Sequence, residues 1–211
     1  SVGASKWLFR NRPSTIIPNG INTLDYAFNS KIRAEYRKEF NVKNKNVFLH
    51  VGRLSHQKNH DYLFKWFKEI LKLDSNSILF LVGDGELKEE LERQVKNMGL
   101  LSKIKFLGIR NDVKNLMFMS DTFLFPSYYE GLGIVLIEAQ ATGLQCIASD
   151  RIEPEAQITN QIRTIDINKS PADYARLALE SIKKSRNADR KESYLKVKNA
   201  GYDISNTVEM L

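Results

Sequence analysis

The sequence holds one cysteine in 211 residues, Cys146, which rules out an internal disulfide and a cysteine-based metal site. It sits in the apolar stretch Gln145-Cys146-Ile147-Ala148 and is expected to be an inert buried side chain rather than a nucleophile. Histidines are as scarce: His50, His56 and His60 fall on one strand and its loop without ligand spacing, so no metal site is expected. No uninterrupted apolar run approaches the ~18 residues that span a bilayer. A signal peptide is lacking too, although the chain opens Ser1-Val2-Gly3 without a methionine, so that lack proves little. Internal repeats, low-complexity segments and interdomain linkers are missing as well. Hydrophobic content of 42% and charged content of 27% are those of an ordinary globular protein. One domain over residues 1–211, with a complete core, is the expectation, in a cytoplasmic setting.

The net charge of +7 asks for an anionic partner. Basic residues gather near the C-terminal end, at Lys183, Lys184, Arg186, Arg190, Lys191, Lys196 and Lys198. They do not interleave with aromatics, and no zinc-finger or RNA-recognition signature appears, so nucleic acid is not the expected partner. A solvated helix face is the plainer reading. A peripheral contact with acidic lipids at the inner face of a membrane is the other.

Strand and helix alternate along the chain. Continuous apolar runs mark strands at 46–51, 77–82, 104–107, 122–125, 145–148 and 163–165, as parallel strands covered on both faces require. Between them, Leu63, Phe67, Ile70 and Leu71 share one helical face, and Leu87, Leu91, Val95 and Met98 share another. A short helix is expected near 112–119, and a longer one from about Leu132 to the stop at Gly143. Ser170-Pro171 opens a further helix with a cap and an N1 proline. The pattern is an α/β fold, a doubly wound Rossmann-like parallel sheet of about six strands.

The most informative stretch is Glu130-Gly131-Leu132-Gly133-Ile134-Val135-Leu136-Ile137-Glu138, with its two acids eight residues apart. It follows a strand, a proline (Pro126) and the loop Ser127-Tyr128-Tyr129. Glu130 falls at the strand's carboxyl end and Glu138 about two turns into a helix. Gly131 and Gly133 leave main-chain N–H groups open at that helix's N-terminus, where phosphate is favoured. One acid is placed to reach a sugar, the other a ribose. Acids so spaced are also common on solvated faces; the strand, proline, glycine turn and helix argue for a crevice. Arg53 and Lys58, after the first strand, could neutralise a diphosphate from the other side. Gly83-Asp84-Gly85 lacks a dinucleotide fingerprint and reads as a structural turn. Gly108-Ile109-Arg110-Asn111 could present main-chain groups to a base.

Taken in order, these segments resemble a known family. They are Ile17-Pro18-Asn19-Gly20-Ile21, Gly52-Arg53-Leu54 with Gln57-Lys58-Asn59, Val82-Gly83-Asp84-Gly85, Phe106-Leu107-Gly108, 126–133, and Glu138-Ala139. The family is the retaining GT-B glycosyltransferases of family 4 (group 1). The wording of 138–144 and 201–204 is similar to the bacterial exopolysaccharide and capsule branch. The resemblance implies the C-terminal donor-binding domain, with an N-terminal acceptor domain absent from this chain and Ser1 to Phe9 just past the junction. It implies Arg53 and Lys58 on the donor diphosphate with the N–H groups of Gly131, Leu132 and Gly133. Glu130 would lie at the donor sugar, Glu138 on the ribose, and Ile109 and Arg110 at the base, usually uracil. The implied chemistry is transfer from a nucleoside-diphosphate sugar, UDP-linked, without a metal or other cofactor, to a lipid-linked acceptor in surface-polysaccharide assembly. The catalytic set so implied is Glu130, Arg53 and Lys58, and the isolated domain would be inactive. Asp150–Glu155 stands where many members carry a glycine pair, which leaves that loop's role open. The alternatives are a nucleotide-sugar epimerase half, a non-catalytic nucleotide-sugar-binding module, and a basic nucleic-acid adaptor.

Overall fold

A computed structural model describes Arg10 and residues 19–209. Ile17, Pro18 and the expected junction at Ser1 to Phe9 lie outside the described residues. Strands β1 (Asn46–Val51), β2 (Ser77–Val82), β3 (Ile104–Phe106), β4 (Thr122–Phe125), β5 (Gln145–Ser149) and β6 (Ile162–Ile165) form one sheet, ordered β3-β2-β1-β4-β5-β6. Every pairing is parallel. β1 to β5 are joined in turn through helices, as parallel pairing favours, while β5 passes to β6 through a loop with one 3-10 turn, Pro154–Ala156. The helices are α1 (Ser30–Glu39), α2 (His60–Leu73), α3 (Lys88–Asn97), α4 (Val113–Met119), α5 (Ile134–Ala141), α6 (Pro171–Asn187), α7 (Ser193–Val197) and α8 (Ile204–Glu209).

Strand pleating divides the core between the two faces. From β1, Phe48 packs with Trp66, Phe67, Leu91 and Ala178, from α2, α3 and α6. Its neighbours Val47 and Leu49 pack on the other side with Leu116, Phe123 and Leu136. The strand ends differ from the sequence expectation by one residue: β3 stops at Phe106, while β5 and β6 each gain one. α5 begins at Ile134 rather than Leu132, because Gly133 takes a left-handed conformation (φ 62°) at the N-cap. Glu138 therefore lies little more than one turn into the helix, not two.

Arg190 corrects the picture of a uniformly solvated basic cluster. It is buried, and donates to the carbonyls of Thr142 (2.9 Å), Ser120 (3.1 Å) and Met117 (3.1 Å), with its guanidinium 4.3 Å from the Phe28 ring centre. An arginine can be taken inside because its donors are matched by carbonyls at turn and helix ends. Nearby, Arg33 and Arg37 clamp the buried Asp121 at 2.5 and 3.2 Å. Cys146 is buried as expected, and burial pushes its thiol well up from its ordinary range.

Two distant segments close on each other. The Ile21 N–H donates to Tyr202 O, and the Ile204 N–H donates to Ile21 O, both at 2.9 Å. Asp203 accepts at one oxygen from the Thr23 N–H and hydroxyl, and at the other from the Ser205 N–H and hydroxyl. These bonds, those of Ser205 first, hold its carboxyl well below the usual carboxylate range. Among the described residues, no helix is long and apolar enough to cross a membrane.

Candidate nucleotide-sugar site

β1 and β4 are neighbours, but the chain leaves them toward opposite ends of the sheet, toward β2 and β5. A crevice opens above their carboxyl ends at this reversal. Two loops face each other across it. After β1 comes Gly52-Arg53-Leu54-Ser55, then a single 3-10 turn, His56–Lys58. After β4 comes 126–133. The Tyr128 N–H donates to Gln57 O (2.9 Å), and the Gln57 amide donates back to Tyr129 O (3.0 Å). Beside these bonds, Lys58 donates to Glu130 in a short ion pair. The Lys58 ammonium also lies 4.7 Å from the centre of the Phe125 ring, a cation–π contact that fixes its stem. A Cβ at Gly52 would come within 3.1 Å of the lysine chain, so a glycine there leaves Lys58 its path.

Gly133 carries the geometry from the ion pair to the helix. A Cβ on it would sit 3.1 Å from the Glu130 Cγ. Its carbonyl accepts from Leu136 N–H at 2.8 Å, which starts α5. The N–H groups ahead of Leu136, at Ile134 and Val135, have no carbonyl partner within the helix, and the dipole's positive end adds to them. Lys58 and this helix N-terminus thus converge from opposite loops, an arrangement suited to an anion.

On the far side of the α5 N-terminus is a pocket of about 500 Å³. It is lined by Tyr26, Val51, Asn111, Lys114, Val135 and Glu138, among others. Burial raises the Glu138 carboxyl above its ordinary value, and the bond donated by Tyr26 Oη to its Oε1 (2.7 Å) pulls the other way. Burial and the neighbouring carboxylate push the Tyr26 phenol up in turn. Tyr26 therefore stays a donor, holding one carboxylate oxygen and leaving the other for a ligand hydroxyl.

Not every residue picked from sequence gathers here. Lys58, Glu130, Gly131, Leu132, Gly133 and Glu138 follow one another along the crevice. Arg53 stands at its rim, exposed and bonded through Nε to Glu86 Oε2 at 3.0 Å. A pair this exposed is weak, so an anion could draw the guanidinium away. Ile109 is exposed, and Arg110 is held bidentate by Asp112 at 2.8 and 2.6 Å. Neither lines the pocket; Asn111 and Lys114, next along the chain, do. Tyr26 was not singled out in the sequence, because its partner is 112 residues away. Gly83 and Gly85 are structural: a Cβ on either would approach a carbonyl of the β1 loop, Gly52 O at 2.0 Å and Leu54 O at 2.4 Å. Among the described residues, no three His, Cys, Asp or Glu side chains gather as metal ligands. A further groove, about 770 Å³ between α2 and α3, is lined mainly by charged surface side chains away from the crevice.

Known proteins share the sequence pattern and the fold of this chain. The family model described as "Glycosyl transferases group 1" matches residues 32–202. The UDP-Gal:alpha-D-GlcNAc-diphosphoundecaprenol alpha-1,3-galactosyltransferase of Escherichia coli is 37% identical over 146 residues, covering 64% of this chain and 36% of that protein. The lipopolysaccharide glucosyltransferase WaaG of Escherichia coli K12 is 32% identical over 139 residues, covering 64% and 37%. Among solved structures, Anabaena HepE in complex with UDP-glucose superposes with a TM-score of 0.76 at 22% identity, over 93% of this chain and 55% of that one. A structure of WaaG gives 0.71 at 24%, over 94% and 59%. The sheet with its flanking helices thus matches GT-B glycosyltransferase structures. The matched segment spans about a third of the length of these curated relatives. Because the family model covers most of its length, this chain belongs to the group 1 glycosyltransferases.

Proposed function

We propose that this chain binds the nucleoside-diphosphate sugar, UDP-linked, of a retaining hexosyltransferase of family 4 acting in surface-polysaccharide assembly. The observation that carries the reading is the placement of Glu138 and Lys58 on opposite sides of the α5 N-terminus. Glu138 in its pocket suits the ribose hydroxyls, and the helix N-terminus with Lys58 suits the diphosphate. Glu130, already on Lys58, is placed for the sugar. Arg53 exchanges Glu86 for a phosphate oxygen, and the base meets Asn111, Lys114 and the loop of Ile109 and Arg110. As the glycosidic bond breaks, charge builds on the leaving diphosphate, where these fixed donors are worth most. The sugar carbon passes through an oxocarbenium-like state and bonds to the oxygen of an acceptor hydroxyl, lipid-linked in this proposal, whose proton goes to the departing diphosphate.

The crevice is one open wall, so the acceptor needs a second lobe to orient it. Lost orientation alone removes several kcal/mol of barrier reduction. The chain by itself is expected to bind UDP with micromolar to millimolar affinity and to transfer sugar poorly. Titration calorimetry with UDP, repeated after EDTA and after adding Mg²⁺, tests the site. Binding unchanged by either supports a diphosphate held by protein cations; binding abolished by EDTA and restored by Mg²⁺ refutes it. A non-catalytic sugar-nucleotide module would show the same binding, yet no transfer even with an acceptor lobe supplied.

A further inference from the structure

The loop that carries Lys58 has two sides. Lys58 turns to Glu130 and the crevice, while Ser55, His56 and Asn59 line a separate cavity of about 260 Å³. This cavity lies between the N-terminal ends of α2 and α3, which contribute Asp61 and Glu90, and Tyr128 borders it from the β4 loop. None of the side chains placed on the nucleotide above lines it. The two sides share one strap, pinned by the bonds of Gln57 to residues 128 and 129.

The polar groups of this cavity are left open. Ser55 and Asn59 are only 9% and 4% exposed, yet the Ser55 hydroxyl and the Asn59 Nδ2 have no hydrogen-bond partner among the described residues. The Asn59 Oδ1 caps α2 by accepting from the Tyr62 N–H at 3.3 Å, which leaves the NH2 as the free end of the amide. Groups buried to this degree are ordinarily satisfied, so a ligand is the missing partner. Asp61 and Glu90 add carboxylates that form no ion pair or side-chain hydrogen bond among the described residues. Both stand in the first turn of a helix, where an acid also complements the dipole, so the buried amide and hydroxyl are what point to a ligand. His56 and Tyr128 stack with ring centres 5.0 Å apart and 20° from parallel, giving the cavity an aromatic wall, and Leu87 and Leu91 give it an apolar one.

We propose that this cavity binds one pyranose ring of an uncharged sugar, free or within a glycan, outside the nucleotide crevice. A sugar ring offers C–H faces to aromatic and apolar walls, and hydroxyls that donate to carboxylates and accept from an amide. The volume lies just under the ~300 Å³ at which drug-sized pockets begin, so it suits a single ring. An anion fits poorly: in a chain of net charge +7, no lysine or arginine lines this cavity. A cation would meet the two acids but leave the Asn59 donor unmatched. A metal ion lacks ligands, because both ring nitrogens of the adjoining His60 are sealed from solvent. The proposal does not rest on the donor reading.

The test is saturation-transfer NMR on the chain with the methyl α-glycosides of glucose, galactose and N-acetylglucosamine, with maltotriose, and with choline as a cationic control. At least one glycoside should bind, at ~1–10 mM, and should stay bound when UDP is added. Tyr128→Ala should weaken it about tenfold, through the lost aromatic wall. Asp61→Ala/Glu90→Ala should also weaken it about tenfold, with thermal unfolding and UDP affinity unchanged, since both acids are exposed. Maltotriose binding more tightly than the glucoside would support a glycan chain as the source of the ring, and equal affinity a single sugar. Glycoside displaced by UDP would overturn the proposal, because the sugar would then lie in the crevice. Variants that bind like the parent, or choline binding where every sugar fails, would overturn it as well. Failure of UDP to bind would count against the donor reading alone, since the sugar measurements are made without it first.

Discussion

Replacing Glu130 by glutamine should tighten the binding of UDP while weakening that of a UDP-sugar. In the free protein Glu130 occupies Lys58, with the two side chains only 15% and 12% exposed. A diphosphate oxygen that takes over the lysine comes to lie ~5–6 Å from the carboxylate. Repulsion between unit charges at that distance is ~3 kcal/mol at an effective dielectric of 20 and ~0.7 kcal/mol in water. The crevice is open to solvent, so a value near 1 kcal/mol is expected, about a fivefold gain in UDP affinity on Glu130→Gln. Lys58→Met should act in the opposite sense. It deletes a charge-assisted hydrogen bond worth ~1.5–3 kcal/mol, roughly 10- to 150-fold in affinity. It also strands Glu130 and should cost ~2–4 kcal/mol of stability, less than a fully buried pair would. The double variant Lys58→Met/Glu130→Gln should regain stability but not affinity. Calorimetry with UDP, a UDP-sugar and uridine, beside chemical denaturation, reads all of these; uridine, without phosphates, should be indifferent to both changes. If Glu130→Gln weakened UDP as much as Lys58→Met, the acid would be serving to hold the lysine in place, and the competition argued here would be wrong.

Three other outcomes follow from the same geometry. Glu138→Ala should cost UDP ~1.5–3 kcal/mol and Tyr26→Phe ~0.5–1.5 kcal/mol, with uridine affected as strongly as UDP; equal, negligible losses in calorimetry would remove the ribose assignment. Arg190→Leu should destabilise by ~3 kcal/mol or more in urea, because it strips a donor from several buried carbonyls, and an unchanged midpoint would contradict its placement. Stability should also fall with acidity in two windows. Burial lowers His60 to about 4 from 6.5 and lowers His50 well below that value, so the unfolded chain takes up protons first. Stability is full above pH 6.5 and falls toward pH 4, by ~3 kcal/mol for His60 alone. Asp203, with its depressed carboxyl, adds a further loss as pH falls below 3.8. Denaturation midpoints between pH 8 and pH 3 check this, and His60→Leu should flatten the upper window.

What the sequence discloses and what it hides follow from range. β1, β2 and β4 were readable to the residue, because a parallel strand covered on both faces must be apolar throughout and β2 is buried along its whole length. The crevice was readable for the same reason: its residues, Lys58 and 130–138, lie just beyond those strands. The start of α5 was misplaced because nothing local announces that Gly133 rather than Gly131 turns left-handed. Arg190 sits in a basic run, and only carbonyls 48 to 73 residues away explain why it is inside. Tyr26 was hidden likewise, as one tyrosine in a short polar turn. Local pattern located the strands and their ends, whereas single side chains answering distant partners stayed out of reach.

The meeting of Ile21 with Asp203 has a mechanical consequence. Residues 22–202 form a closed loop whose neck is a few hydrogen bonds wide, and everything that binds nucleotide in this reading lies within it. A pull applied at residues 20 and 205 would load that neck before it reached the sheet. Tyr26 stands five residues inside it, on the 3-10 turn Thr23–Tyr26, whose first residue Asp203 grips. Strain at the neck would therefore pass along one short turn to the oxygen of Glu138. The fold makes its handle and the carboxylate proposed to hold the ribose parts of the same lever.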